Sequence, residues 1–217
     1  MQFPIFTSFI RMLFPVRCKG CGRPSTALCT LCICTIGRAD KLSPKLYAVF
    51  DYGHPIVRAS IKELKYHRKS EAARALAAAA LPYLVEHLNN KMHRAYTEPL
   101  ILVPIPSYKA KVRDRGFNQS ALIAAWWKES LPQATIKHCL SKTTATLPQA
   151  HLNRRTRLQN LAGVMQASTV VDPNSIYVVV DDVITTGATC AEAMRALSAA
   201  GAHKIHCVAL AHGYARS

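Results

Sequence analysis

Two groups of residues in this sequence have types and spacing that can do chemistry. The first is a set of four thiols, Cys18-x-x-Cys21 and Cys29-x-x-Cys32, with seven residues between the pairs. A Cys-x-x-Cys turn lets two sulfurs converge on one ion, and four thiolates complete the tetrahedron that zinc prefers. Gly20 and Gly22 supply the backbone freedom such turns use. A ribbon this small folds around its metal, whose binding contributes about 10–16 kcal/mol in zinc peptides. With Cys18, Cys21, Cys29 and Cys32 as ligands every position is filled, so the expected zinc is structural. Cys34 is an alternative to Cys32 as fourth ligand. Free thiols and a redox-active pair are the competing readings.

The second group is Ile176-Tyr-Val-Val-Val-Asp-Asp-Val-Ile-Thr-Thr-Gly-Ala-Thr189. Its apolar, β-branched start predicts a strand buried on both faces. Two acids follow, then small hydroxyl residues and a glycine, then a helix. Such a turn suits a phosphorylated sugar. Backbone N–H groups of Thr185, Thr186, Gly187, Ala188 and Thr189 can point at a phosphate, helped by the positive end of the helix. Asp181 and Asp182 are acceptors for sugar hydroxyls, directly or through Mg²⁺.

Cations surround these motifs. Lys plus Arg number 28 against 12 Asp plus Glu, a formal charge of +16 in 217 residues, which favours polyanionic partners. After the predicted strand Leu100–Pro104, a loop carries Ser107, Lys109, Lys111, Arg113 and Arg115. Ser107 and the cations that follow can bind an anion. Arg154 and Arg157 lie in a polar stretch and are candidates for contact with nucleic-acid phosphates. From Pro55 a helix is expected with Val57, Ile61 and Leu64 on its buried face. Arg58, Lys62, Lys65 and Lys69 form a second stripe, a candidate nucleic-acid contact.

The elements that must position these residues read as strands alternating with helices, hence a mostly parallel α/β sheet. Strands are predicted at Tyr47–Tyr52, Leu100–Pro104, Ala134–Leu140, Ile176–Asp181 and Lys204–Leu210. Helices are predicted at Asn118–Trp127 and Thr189–Ala200. Seven alanines between positions 72 and 80 favour a further helix opening at Ser70, with a turn or kink at Pro82. Asp40–Pro44 reads as a linker between a ribbon (1–45) and an α/β domain (46–217). Phe3–Val16 is too short and too interrupted to span a membrane. It reads as an amphipathic helix, and with no signal-peptide pattern the expected compartment is the cytosol.

The strand, the two acids and Thr-Thr-Gly-x-Thr resemble the signature of type I phosphoribosyltransferases. That resemblance implies phosphoribosyl pyrophosphate (PRPP) as ligand. The turn would hold its 5-phosphate, Asp181 and Asp182 its ribose hydroxyls, and the loop with Ser107, Lys109 and Arg113 its diphosphate, accompanied by Mg²⁺; the stretch with Arg154 and Arg157 would correspond to a mobile lid. Thr185 stands where 6-oxopurine salvage enzymes carry a carboxylate, which argues against that activity. Further blocks are similar to the ComF family, also named GntX: Leu-Phe-Pro-x-x-Cys-x-x-Cys-Gly22, Leu28-Cys-x-x-Cys32, Ile61-x-x-Leu-Lys-Tyr66, Val103-Pro-Ile-Pro106, Arg115-Gly-Phe-Asn-Gln119, Pro148-Gln149 and Arg157-Leu-Gln-Asn160. His67 and Lys142 depart from the family pattern. The likeness implies a zinc ribbon joined to a phosphoribosyltransferase-like domain, acting with single-stranded DNA and other DNA-uptake proteins in natural transformation. An active phosphoribosyltransferase with an unidentified nucleophile and no DNA role is the alternative.

Overall fold

The computed structural model describes residues 15–40, 42–68, 70–91, 98–142, 163–167 and 171–213. Lys69, Arg154 and Arg157 lie outside them, as does most of the helix expected over Phe3–Val16. In chain order the elements are α1 (Thr30–Cys34), β1 (Leu46–Asp51), α2 (Pro55–Leu64), α3 (Glu71–Lys91), β2 (Leu100–Pro104), α4 (Lys109–Arg115), α5 (Gln119–Ser130), β3 (Ala134–Ile136), β4 (Leu140–Lys142), β5 (Met165–Ala167), β6 (Ile176–Ile184), α6 (Ala188–Ala199) and β7 (Lys204–His212). Five strands form one parallel sheet in the order β1-β7-β6-β2-β3. Strand β6 is central, and Ile176 to Val180 are buried along it without a break. This is the expected α/β sheet flanked by helices.

Helix formation follows local chemistry. Pro55 occupies the first turn of α2, where its missing N–H costs nothing. Val57, Ile61 and Leu64 are fully buried on its inner face, each worth about 1.5–3 kcal/mol. The hydroxyl of Ser70 accepts the N–H of Ala73 at 3.2 Å and so opens α3. That helix runs through Pro82 to Lys91 instead of breaking there. Pro82 and Ala78, one turn before it, both lie on the exposed face, where water satisfies the carbonyl that proline leaves without a donor. Helix α5 docks on α3 through Trp127, which is buried and donates its indole N–H to the carbonyl of Ala77 at 2.9 Å. Trp126 is half-buried.

Two local readings are corrected, at β3–β4 and at α4. Ahead of β1 the chain pairs back on that strand. The N–H of Ala39 donates to the Val49 carbonyl at 3.0 Å, and Ser43 bridges Leu46 to turn the chain into β1. The single strand expected over Ala134–Leu140 is two: β3 pairs with β2, whereas β4 pairs antiparallel with β5. The basic run after Tyr108 is a helix, α4, and not a loop.

The ribbon is built onto the body. Cys18, Leu28 and Ile36 share one buried cluster with Ile56, Val57 and Ile61 of α2, and Lys19 pairs with Glu63 of α2 at 2.7 Å. Cys190 of α6 and Cys207 of β7 are buried and joined as a disulfide, their Cα atoms 5.9 Å apart. Among the described residues, no helix is long and apolar enough to cross a membrane.

Candidate functional site

In a parallel sheet with alternating helices, the carboxyl ends of the strands open a crevice for ligands. Here a cleft of about 230 Å³ opens where β6 and β2 end. Asp181 and Asp182 form its floor, Ser107 and Tyr108 one wall, and Thr189 the entrance to α6. The N–H of Ile105 donates to the Val180 carbonyl at 3.0 Å, holding the loop after β2 against the acids. Asn118 fixes that loop further. Its side chain caps α5 by accepting the N–H of Ser120 (3.2 Å), accepts the Ser107 hydroxyl (3.0 Å) and donates to the Ile105 carbonyl (2.8 Å).

The two acids are held by different partners. Asp181 accepts the Ser120 hydroxyl at 3.1 Å and the N–H of Asp182 at 2.9 Å. Asp182 accepts the N–H of Val183 at 2.8 Å, and the Gln119 amide lies 3.5 Å from its other oxygen. Arg115 in turn donates to Gln119 at 2.7 Å. Burial, and then the charge of Asp182, push the Asp181 carboxyl up to about 7, against the pull of its hydrogen bonds and Lys142. Carboxylate and hydroxyl oxygens of this kind fit a hard cation such as Mg²⁺.

Gly187 adopts a φ of +76° as the N-cap of α6, a backbone conformation that L side chains resist. It turns the chain from β6 into α6, whose first turn carries the positive end of the helix. Thr185 is exposed, Thr186 half-buried, Ala188 buried, and Thr189 lines the cleft. The N–H of Ala188 lies 3.4 Å from the Thr186 hydroxyl.

Helical geometry sorts the cations of α4. Lys111 and Arg115, four residues apart, line the cleft, while Lys109 and Arg113 are exposed and not among its lining residues. Ser107 is in the cleft, so one of the three expected diphosphate residues lies there. Lys142, at the end of β4, also lines the cleft, with its ammonium 4.0 Å from the Tyr108 ring centroid. Burial lowers the Lys142 ammonium to about 8, with Asp181 opposing and Lys111 adding to the shift.

The basic stripe of α2 divides. Arg58 donates to the Gly53 carbonyl at 2.7 Å and closes the preceding turn, Lys62 is exposed, and Lys65 lines the cleft. Sequence reasoning did not single out Tyr108, Gln119 or Ser120 as site residues. Gln119 and Ser120 open an ordinary helix, and only the fold brings that helix beneath the acids.

Beside α2, the Sγ atoms of Cys18, Cys21, Cys29 and Cys32 all lie within 4.8 Å of one another. Cys21 and Cys29 are 3.8 Å apart, close to the ~3.8 Å edge of a tetrahedron with zinc–sulfur bonds of about 2.3 Å. Cys18 accepts the Cys29 N–H at 3.3 Å. N–H groups from Cys21 and Cys29 bring its thiol down to about 6, whereas Cys32 is pushed up to about 12, foremost by Cys29. Four thiols this close cannot ionise together without a cation, so the donor set fits a metal. Cys34 is exposed and outside the cluster.

Comparison with known proteins places this geometry. Residues 147–217 match the phosphoribosyl transferase domain model. The chain is 32% identical over 188 residues to DNA utilization protein YhgH of Escherichia coli (strain K12), spanning 85% of this chain and 79% of that protein. The same identity and coverage hold for its Salmonella typhimurium counterpart. Competence protein F of Haemophilus influenzae is 27% identical over 179 residues, 81% of this chain and 77% of its own length. The chain therefore belongs to the ComF family, with a phosphoribosyltransferase fold and a four-cysteine ribbon.

Proposed function

We propose that the cleft binds PRPP and that the protein handles single-stranded DNA during natural transformation. The observation that carries the first half is one cleft holding Asp181 and Asp182 at the end of the central strand, Thr189 at the turn into α6, and four cations from three places in the chain: Lys65 after α2, Lys111 and Arg115 on α4, and Lys142 on β4. On this reading the ribose hydroxyls donate to Asp181 and Asp182. Residues 185–189 take the 5-phosphate through backbone N–H groups and threonine hydroxyls. Ser107 takes the diphosphate, with Lys111 and Arg115 neutralising it. Lys109 and Arg113 add only longer-range charge. Mg²⁺ would be held at the carboxylates of Asp181 and Asp182 and would neutralise the diphosphate. Zinc at Cys18, Cys21, Cys29 and Cys32 holds the ribbon, residues 1–45, on the domain of 46–217.

The second half draws on the names of the relatives, DNA utilization protein and Competence protein F, and on the charge of +16. No base-reading element stands among the described residues, so binding without sequence preference is expected.

Ligand-induced stabilisation tests the cleft. Mg²⁺–PRPP at about 100 times its dissociation constant adds about 2.7 kcal/mol, a rise of about 5–10 °C in the midpoint for a chain this size. Ribose 5-phosphate and inorganic pyrophosphate, each filling half the cleft, give smaller rises. A midpoint unmoved by all three removes the PRPP reading. For DNA, affinity for a labelled oligonucleotide falls steeply with salt if several Lys and Arg meet phosphates, and a flat response removes that half. Pyrophosphate released on adding a nucleophile would extend the reading to a transferase.

A further inference from the structure

We infer that Tyr66 and the cations around it form a base-stacking platform for single-stranded nucleic acid, next in the chain to the Lys65 that lines the cleft. The inference rests on the DNA-handling half of the proposed function and is independent of PRPP.

Among the described residues, Tyr66 is the more exposed of two large hydrophobic side chains left on the surface, at 75% relative exposure. A lone exposed tyrosine is ordinary; its setting gives this one meaning. It sits between Lys65, which lines the cleft, and the exposed His67 and Arg68, with Lys62 exposed one turn earlier. An aromatic face beside several cations on one turn is the chemistry that holds a single strand: bases stack on the ring and flanking phosphates meet the cations. The charges on α2 alone would attract any polyanion, whereas the ring selects unpaired bases.

The backbone that carries the ring is held in place. The N–H groups of Tyr66 and His67 donate to the Glu63 carbonyl at 3.0 and 2.9 Å, and Ser70 closes the turn on His67 at 3.1 Å. The Glu63 side chain is held by Lys19 of the ribbon at 2.7 Å. The four-cysteine ribbon thus braces the turn that carries the platform. A backbone held in place before binding loses little freedom there.

The test uses the full chain and labelled oligothymidylate, with a duplex of equal length beside it. Tyr66→Ala weakens single-strand affinity about five- to 150-fold, the range of one stacked base, while Tyr66→Phe keeps it. Duplex affinity, the thermal midpoint and PRPP binding stay at wild-type values in both variants. Because stacking is not ionic, the salt slope of Tyr66→Ala matches wild type, whereas Lys62→Ala and Arg68→Ala each reduce it by about one. An oligonucleotide carrying 5-iodouracil crosslinks at Tyr66 in the unaltered protein. A single strand bound equally by Tyr66→Ala and wild type overturns the inference. So does an equal loss for duplex and single strand, or a crosslink mapping away from residues 62–68. If wild type binds no PRPP yet the Tyr66 effects hold, the platform stands and only the PRPP half of the function falls. A free mononucleotide that binds Tyr66 as tightly as the oligonucleotide would overturn the strand as its ligand.

Discussion

The cleft places a carboxyl that titrates near neutrality beside an ammonium that titrates not far above it, which gives ligand binding a definite pH profile. Burial and Asp182 raise Asp181 to about 7, and burial lowers Lys142 to about 8. Ribose hydroxyls and Mg²⁺ both prefer ionised Asp181, and the diphosphate prefers charged Lys142. The competent form has Asp181 deprotonated and Lys142 protonated. With those two values it makes up about 10% of the protein at ~pH 6, about 60% at ~pH 7.5 and about 10% again at ~pH 9. Mg²⁺–PRPP affinity should therefore be greatest between ~pH 7 and ~pH 8 and fall by about sixfold at ~pH 6 and at ~pH 9. Calorimetric titration across that range at fixed ionic strength measures it. Phosphate groups of PRPP titrate on the acid side as well, so the variants make the assignment. Asp181→Asn flattens the acid limb beyond what the ligand contributes, and Lys142→Arg, charged throughout, abolishes the alkaline limb. Wild-type affinity constant from ~pH 6 to ~pH 9, or an alkaline limb that survives Lys142→Arg, refutes the reasoning.

Three further outcomes follow from specific contacts. A methyl group at Gly20 would lie 2.5 Å from the Cys32 sulfur and 2.7 Å from Ile56 Cδ1, so Gly20→Ala should displace a metal ligand, lower bound zinc per chain and destabilise by about 1–3 kcal/mol, as read by metal analysis and denaturant unfolding. Glu192 is buried in α6, accepts the Met165 N–H at 3.0 Å and pairs with Arg195, which also donates to the Met165 carbonyl at 2.9 Å. Burial would raise its carboxyl, yet Arg195 and the Met165 N–H hold it below the ordinary value. Glu192→Gln should therefore cost about 1–3 kcal/mol at neutral pH, a penalty that shrinks on acidification below about 4.5 as the wild-type carboxylate is protonated; denaturant midpoints at two pH values check this. Finally, Lys111→Ala and Arg115→Ala should each weaken pyrophosphate binding about tenfold or more, whereas Lys109→Ala and Arg113→Ala should change it less than threefold, as measured by competition.

What the sequence made legible was set by how local the determinant is. The apolar run into Asp181-Asp182 and the glycine after two threonines dictate a buried strand, a sharp turn and a helix through neighbouring residues alone. The cysteine pairs carry their geometry in their spacing in the same way, and the fold settled Cys32 over Cys34. The cations of α4 were harder. Lys109-Ala-Lys-Val-Arg-Asp-Arg115 has no apolar face to announce a helix, and only the helix sends Lys111 and Arg115 inward and Lys109 and Arg113 outward. Lys65 belonged by periodicity to a basic stripe, yet the packing of α2 brings it to the cleft while Arg58 is spent on a turn carbonyl. Gln119 and Ser120 carry no charge and lie more than 60 positions from the acids they contact. Pairing across that distance is a property of the sheet order and cannot be read from one segment.

The central claim is that Asp181 and Asp182 form the floor of a working PRPP site. Its most direct test is calorimetric titration of Mg²⁺–PRPP into wild type and into Asp181→Asn/Asp182→Asn at ~pH 7.5. Saturable binding in wild type, lost in a double variant that still melts cooperatively, is the predicted result. No heat and no saturation in wild type, or equal binding by both proteins, would contradict it.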